Sequence, residues 1–332
     1  MRFLLVVSAL LAATSSVDAF APSQRVAFSS STALQSAVAA DAASIKARLD
    51  AQLEKMKAKD SASKALSKED LKIVFEDEHI VIVDKPAGVL CVPGKEDNPS
   101  LSQAVFDAFG SESGRADKMV VHRLGMDTSG LVVFARTNAA LSGMNTLFRT
   151  RKVIRKYEAL VCGTVEADEG VVNKPLMRDY EFPPFMRVST EEHQQALVGL
   201  DAAEVGKKML ELPKDSLTKY EVASREELSG NAVSRLSLTS ISGRTHQLNV
   251  HCAAFGHPIV GDKVYGIDGE AAANGGLDDA SMDENSNRAT EQLQKDIAAD
   301  VGDKPMCVHA KSLSFDHPIT RETLTFESGA PF

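Results

Sequence analysis

Short β-branched runs and amphipathic stretches alternate along the chain from Leu71 onward. Leu71–Lys85 (LKIVFEDEHIVIVDK) places two such runs around an acidic turn, which predicts a β-hairpin ended by Pro86. Further strands are expected over Leu131–Ala135, Lys156–Cys162, Ser234–Ile241 and Gln247–Val250, and helices over Leu101–Phe109 and Ala139–Arg149. Strands interrupted by irregular helices, with no βαβ rhythm, predict an α+β fold on a mixed, mainly antiparallel sheet. No internal repeat is visible.

The first 45 residues have a different pattern. Arg2, the apolar stretch Phe3–Ala13 and the small-residue site Val17-Asp18-Ala19 make a secretory-type signal peptide. The following segment is rich in Ser, carries Arg25 and has no acid before Asp41, as a transit peptide does. Together they resemble the two-stage presequences that lead into complex algal plastids; simple secretion is the alternative. Residues 46–70 alternate charges at helical spacing with few apolar anchors and read as a solvated helical linker. The main domain is then 71–332. Two polar segments within it, 191–213 and 268–305, read as insertions, the second with little to bury.

Composition narrows the class. Apolar residues at 43% and charged residues at 25% are ordinary globular values. The four cysteines, Cys91, Cys162, Cys252 and Cys307, form no CxxC pair, so free thiols are expected rather than a zinc knuckle or a disulfide scaffold. A net charge of −9 argues at first against a polyanionic partner. Most of it is local, because residues 268–304 hold ten acids against three bases, a net of −7. By contrast, Arg149–Lys156 (RTRKVIRK) packs five bases into eight residues just before Tyr157. Arg151, Lys152, Arg155 and Lys156 are therefore candidates to contact a phosphate backbone, with a solvated face as the plainer reading.

Four strings occur in one order: Lys85-Pro-Ala-Gly-Val-Leu; Val121-His-Arg-Leu-Gly-Met-Asp-Thr-Ser-Gly; Arg155-Lys-Tyr-Glu-Ala-Leu-Val-Cys-Gly; and Ser242-Gly-Arg-Thr-His-Gln-Leu-Asn-Val-His, continuing to Gly256-His-Pro-Ile-Val-Gly-Asp-Lys-Val-Tyr-Gly. Val308-His-Ala-Lys-Ser-Leu-Ser-Phe-Asp-His-Pro follows them. In these strings the chain resembles the RluA-type family of RNA pseudouridine synthases, from about Leu71 to Pro331. The resemblance implies a sheet with a central catalytic cleft, a structured ribosomal or transfer RNA as partner, a monomer, and neither cofactor nor metal. It implies that the target uridine is flipped out of its stack and its base rejoined to the ribose through carbon. It also implies that Tyr157 lies against the base, that Arg244 pairs with the catalytic aspartate, and that His122, Arg123, His246 and Gln247 lie near the RNA or the arginine.

Two positions depart from the family pattern. The family reads His-Arg-Leu-Asp, whereas this chain reads His122-Arg123-Leu124-Gly125, and Asn249 stands where the family commonly has arginine. The nearest acid is Asp127, two residues on. It could replace the missing carboxylate if a local turn, eased by glycine's backbone freedom at Gly125, brings it toward Arg244. Three readings stay open: a synthase using Asp127, a catalytically silent RNA-binding protein of the same fold, and a synthase using an acid from another loop. The His246, His251, Cys252 and His257 group carries no metal reading, since an odd separation puts the first two on opposite faces of a strand.

Overall fold

The acidic turn of the first hairpin closes on a single side chain. Asp77 Oδ1 accepts the backbone N–H groups of His79 and Ile80, each at 2.7 Å, between strands β1 (Lys72–Glu76) and β2 (Ile80–Lys85). The computed structural model describes residues 41–94, 96–282 and 287–332, so residues 1–40 of the expected presequence lie outside it. The chain continues from helix α1 (Ala42–Asp60) and the hairpin through α2 (Leu101–Phe109), β3 (Ser129–Ala135), α3 (Asn138–Arg149), β4 (Ile154–Cys162), β5 (Glu169–Asn173), β6 (Leu176–Arg178) and β7 (Met186–Val188). Then come α4 (Glu191–Ala196), α5 (Ala202–Val205), β8 (Leu217–Leu228), β9 (Asn231–Ser240), α6 (Gln247–Ala254), α7 (Glu291–Val301), β10 (Val308–Asp316) and β11 (Thr323–Glu327). Among the described residues no helix is long and apolar enough to cross a membrane.

Nine strands form one sheet in the order β1-β2-β3-β10-β4-β9-β8-β5, with β11 also paired to β10, and β6 and β7 form a separate hairpin. Among the described strands only β3 and β10 run parallel, so the sheet is mixed and mainly antiparallel, as the pattern predicts. That parallel contact covers two residue pairs, and Gly130 makes it possible. A Cβ on Gly130, whose φ is 113°, would lie 2.4 Å from the Ala310 carbonyl oxygen. Strand alternation sorts the core by face. Val81, Val83, Val132, Phe134, Tyr157 and Ala159 face α2 and α6, whereas Ile80, Ile82, Leu131 and Val133 face α3.

Three expectations change. Gln247–Val250 is helical, because Leu248, Val250 and Cys252 all pack inward on an element buried nearly all round, and a short apolar run does not reveal its own period. The helix in the supposed linker is solvated on one side only. It begins at Ala42, and its stripe Ala42, Ile45, Leu49, Leu53, Met56 and Asp60 turns toward the body at three- and four-residue spacing. Residues 268–305 also bury more than their composition suggests. Ala271, Leu277 and Met282 join one apolar cluster, and Ile297 and Val301 of α7 seat on another with Leu160, Cys162 and Val260. All four cysteines are buried and unpaired.

Several histidines serve the fold as neutral hydrogen-bonding groups. His251 is fully buried, with Nδ1 2.8 Å from Thr218 Oγ1 and Nε2 3.0 Å from the Lys174 carbonyl. Burial lowers it from an ordinary 6.5 to about 4. The unfolded chain therefore takes up a proton on His251 below pH 6.5 while the folded chain does not, so this contribution to stability is complete above 6.5 and is lost as pH falls toward 4. The loss reaches about 3 kcal/mol for this one group. Thermal melts from pH 7.5 to 5 are expected to show a falling Tm and a shallower slope in His251→Gln; parallel slopes for the two proteins contradict the assignment.

Candidate active site

A fully buried ammonium holds the central loops together. Lys85, at the end of β2, donates to the carbonyls of Pro86 (2.8 Å), Val89 (2.7 Å) and Met126 (2.9 Å), and Gly88 N–H also reaches the Met126 carbonyl at 2.9 Å. Three acceptors match the three protons of a lysine ammonium. Burial still lowers its pKa from 10.5 to about 8. The turn so gripped is closed by Thr128 N–H on the Gly125 carbonyl at 3.2 Å. Glycine's special backbone range is not what makes it: Gly125 has no left-handed φ, and a Cβ there would meet only Thr128 Oγ1, at 3.5 Å. The expected role of Gly125 is thus corrected, and a Cβ has room at this position.

The turn opens on a cleft of about 540 Å³, within the roughly 300–1,000 Å³ of small-molecule sites. Arg123, Gly125, Asp127, Arg155, Tyr157, Arg244, His246 and Gln247 all line it, so the structure gathers most of the residues that the motifs single out. It does not pair Asp127 with Arg244. Arg244 Nε donates to the Asp215 carbonyl at 3.2 Å, while Asp127 Oδ2 lies 2.6 Å from Lys59 Nζ of α1. The turn aims Asp127 at the helix rather than at the Arg244 loop.

Tyr157 is buried on the strand face that floors the cleft. Burial raises its phenol pKa and the neighbouring Arg155 guanidinium opposes this. Arg155 lies over the Phe148 ring at 5.8 Å from its centroid and donates to the Ser240 carbonyl at 3.4 Å. The ring of His122 stacks on the same Phe148 at 4.8 Å, and its Nε2 accepts Val133 N–H at 3.0 Å. Burial, aided by Arg155, holds His122 down at about 3, so it is a neutral brace for β3 and lies outside the cleft lining. The basic run divides in the same way. Arg155 faces the cleft, Lys156 points to the opposite face by strand alternation, and Arg151 and Lys152 are exposed at the turn before β4, outside the cleft lining.

The loop before α6 is built around Gln247, whose amide is fully engaged. Its Oε1 accepts from Ser242 Oγ (2.7 Å) and Arg244 N–H (2.9 Å), and its Nε2 donates to the Leu217 carbonyl (2.9 Å) and Thr218 Oγ1 (3.0 Å). Gln247 therefore positions the Arg244 loop and has no amide group left for RNA. His246, in a left-handed conformation at φ 50°, sets Nδ1 2.8 Å from the Tyr265 hydroxyl.

Lys59 and Asp262 stand out among the cleft residues that carry no role in the sequence reading. Lys59 gives no signal beyond the spacing of the α1 stripe. Asp262 belongs to the Gly-Asp-Lys-Val-Tyr string and caps its turn: Oδ1 accepts Val264 and Tyr265 N–H at 2.8 and 2.9 Å, and Oδ2 accepts from Asn249 Nδ2 at 2.7 Å. Burial raises its pKa, these donors oppose that, and Asp127 adds to it. Away from the cleft, Asp179, Glu181 and His193 approach one another, but Arg187 lies among them, with Nη1 2.9 Å from His193 Nδ1 and 3.5 Å from Glu181 Oε2. A guanidinium already supplies the positive charge there.

Residues 79–254 match the family described as RNA pseudouridylate synthase. The chain is 33% identical over 262 residues to the dual-specificity RNA pseudouridine synthase RluA of Pasteurella multocida, covering 79% of this chain and 94% of the relative. It is 30% identical to RluA of Escherichia coli over the same length and shares. The structure of human RNA pseudouridylate synthase domain containing 1 superposes with a TM-score of 0.55 at 23% identity, over 81% of this chain and 87% of that one. Human RNA pseudouridylate synthase domain containing 4 gives 0.51 at 23% identity, over 78% and 88%. The two human structures agree with the fold described above, and on the family match and the RluA relatives the chain belongs to the RNA pseudouridylate synthase family.

Proposed function

We propose that the protein isomerises uridine to pseudouridine in structured ribosomal or transfer RNA, with Asp127 as the reacting carboxylate. The observation that carries this reading is the meeting of Asp127, Tyr157, Arg155 and Arg123 in one cleft inside the family-matched segment. The reaction breaks the N1–C1′ bond, forms a C5–C1′ bond, and exchanges a proton at C5 for one at N1. Substrate and product are isomers, so the change needs no external electron donor or acceptor. A stacked uridine cannot enter the cleft; flipping it out costs a few kcal/mol, about 1–3 of which a base stacked on an aromatic ring returns. Tyr157, which lines the cleft, supports that contact. Arg123 and Arg155 offer positive charge to the phosphates on either side. Delivery to a plastid is part of the same proposal, supported by the order of apolar, small and Ser-rich segments in the first 45 residues.

Unmodified transfer and ribosomal RNA transcripts incubated with the protein are expected to gain pseudouridine, read by chemical mapping, and to gain none with Asp127→Ala. Retained formation in that variant moves the chemistry to another acid. RNA binding without new sites leaves a silent RNA-binding protein, in which Gly125→Asp, whose Cβ has room at this turn, is expected to start the reaction. Tyr157→Ala is expected to weaken RNA binding by about 1–3 kcal/mol; unchanged affinity would remove the stacking role. Residues 1–45 fused to a fluorescent protein are expected to carry it into plastids, and fluorescence in the medium contradicts that address.

A further inference from the structure

Helix α1 lies outside the family-matched segment, which begins at residue 79, yet it forms one wall of the cleft through Met56, Lys59 and Asp60. It is anchored at both ends. Near its start Ile45 is fully buried against Val205 and Met209, and Asp41 caps the helix by accepting Ser44 N–H at 3.0 Å. In its middle Gln52 donates to Glu270. Just past its end Ser63 donates to the Pro99 carbonyl at 2.7 Å and accepts Leu90 N–H at 3.0 Å, which ties the helix to the loop that Lys85 also grips. These contacts fix where Lys59 stands, and Lys59 Nζ is 2.6 Å from Asp127 Oδ2. Among the described residues Asp127 makes no other ion pair, and Arg244 is turned to the Asp215 carbonyl.

We propose that Lys59 is the cation that orients the Asp127 carboxylate for reaction, a positioning residue supplied by a helix outside the matched segment. The proposal rests on the reading of Asp127 as the reacting carboxylate. A carboxylate at a turn, with its side chain 39% exposed, has several accessible rotamers, and an ammonium on a docked helix selects one of them. An ion pair this exposed contributes little to folding, so removing Lys59 should cost reactivity far more than stability. Misplacement of a reacting group by about 1 Å costs on the order of 100-fold in rate.

The test is pseudouridine formation by the full chain on unmodified transfer and ribosomal RNA transcripts, with kcat and KM measured separately and Tm recorded. Lys59→Ala is expected to lower kcat about 10- to 100-fold with KM and Tm nearly unchanged, and Lys59→Arg to restore most of the rate. A kcat for Lys59→Ala equal to or above that of the parent overturns the proposal, as does a loss confined to KM or an equal loss in both variants. Asp127→Ala separates the two levels. If it is inactive while Lys59→Ala runs at full rate, only the role of Lys59 fails; if it stays active, or the parent forms no pseudouridine, the reading of Asp127 fails and takes the proposal with it.

Discussion

The site depends on one buried ammonium and the carbonyls it gathers. Lys85 ends a fully buried strand, and its charge is accommodated because three backbone oxygens from two separate loops converge on it. A buried cation with fewer acceptors would lose its proton or its burial. By holding the Met126 carbonyl, Lys85 fixes the turn that presents Gly125 and Asp127 to the cleft, and by holding the Val89 carbonyl it fixes the loop against which the chain leaving α1 docks. The backbone of the turn that carries Asp127 is thus set by main-chain hydrogen bonds, and the direction of its carboxylate is left to the contact with Lys59.

Around that anchor, burial and alternation assign the polar residues. His122 and His251 are lowered by burial and act as uncharged links between fold elements, while His246 sets its Nδ1 against the Tyr265 hydroxyl. Gln247 spends its amide on four partners in the loop that carries Arg244. The cleft is left with a mixed lining in which Lys59, Arg123, Arg155, Arg244, Lys263 and Lys304 stand with Asp60, Asp127, Asp262, Glu270 and Asp303. The net charge of −9 does not describe this lining, which the acidic segment 268–304 reaches only through Glu270, Asp303 and Lys304.

Much of the fold was legible wherever a local rule decided it. The first hairpin, α2 and α3 and the central strands follow from period and capping, with Ser100 and Thr137 accepting the N-terminal N–H groups of α2 and α3. The motif strings located the cleft, and Asp127, Tyr157, Arg155 and Arg123 do line it. What local rules could not decide was the direction of a side chain near an element's edge and the nature of a short apolar run. Lys156 and Arg155 are neighbours in one basic run, but a strand sends them to opposite faces, and the run at Gln247 coils into a helix because it is buried on all sides.

The sequence by itself determined the family, the α+β class and the residues that could carry chemistry, because these rest on short-range order and residue type. The partner of Asp127 was decided only by tertiary structure. Arg244 and Asp127 are 117 positions apart, Lys59 and Asp127 are 68 apart, and neither separation indicates which cation arrives. The outcome depends on the seating of Ile45, the capping of the Arg244 loop by Gln247 and the grip of Lys85 on the turn. Each is a contact between distant segments, and such contacts follow from the packing of the whole core.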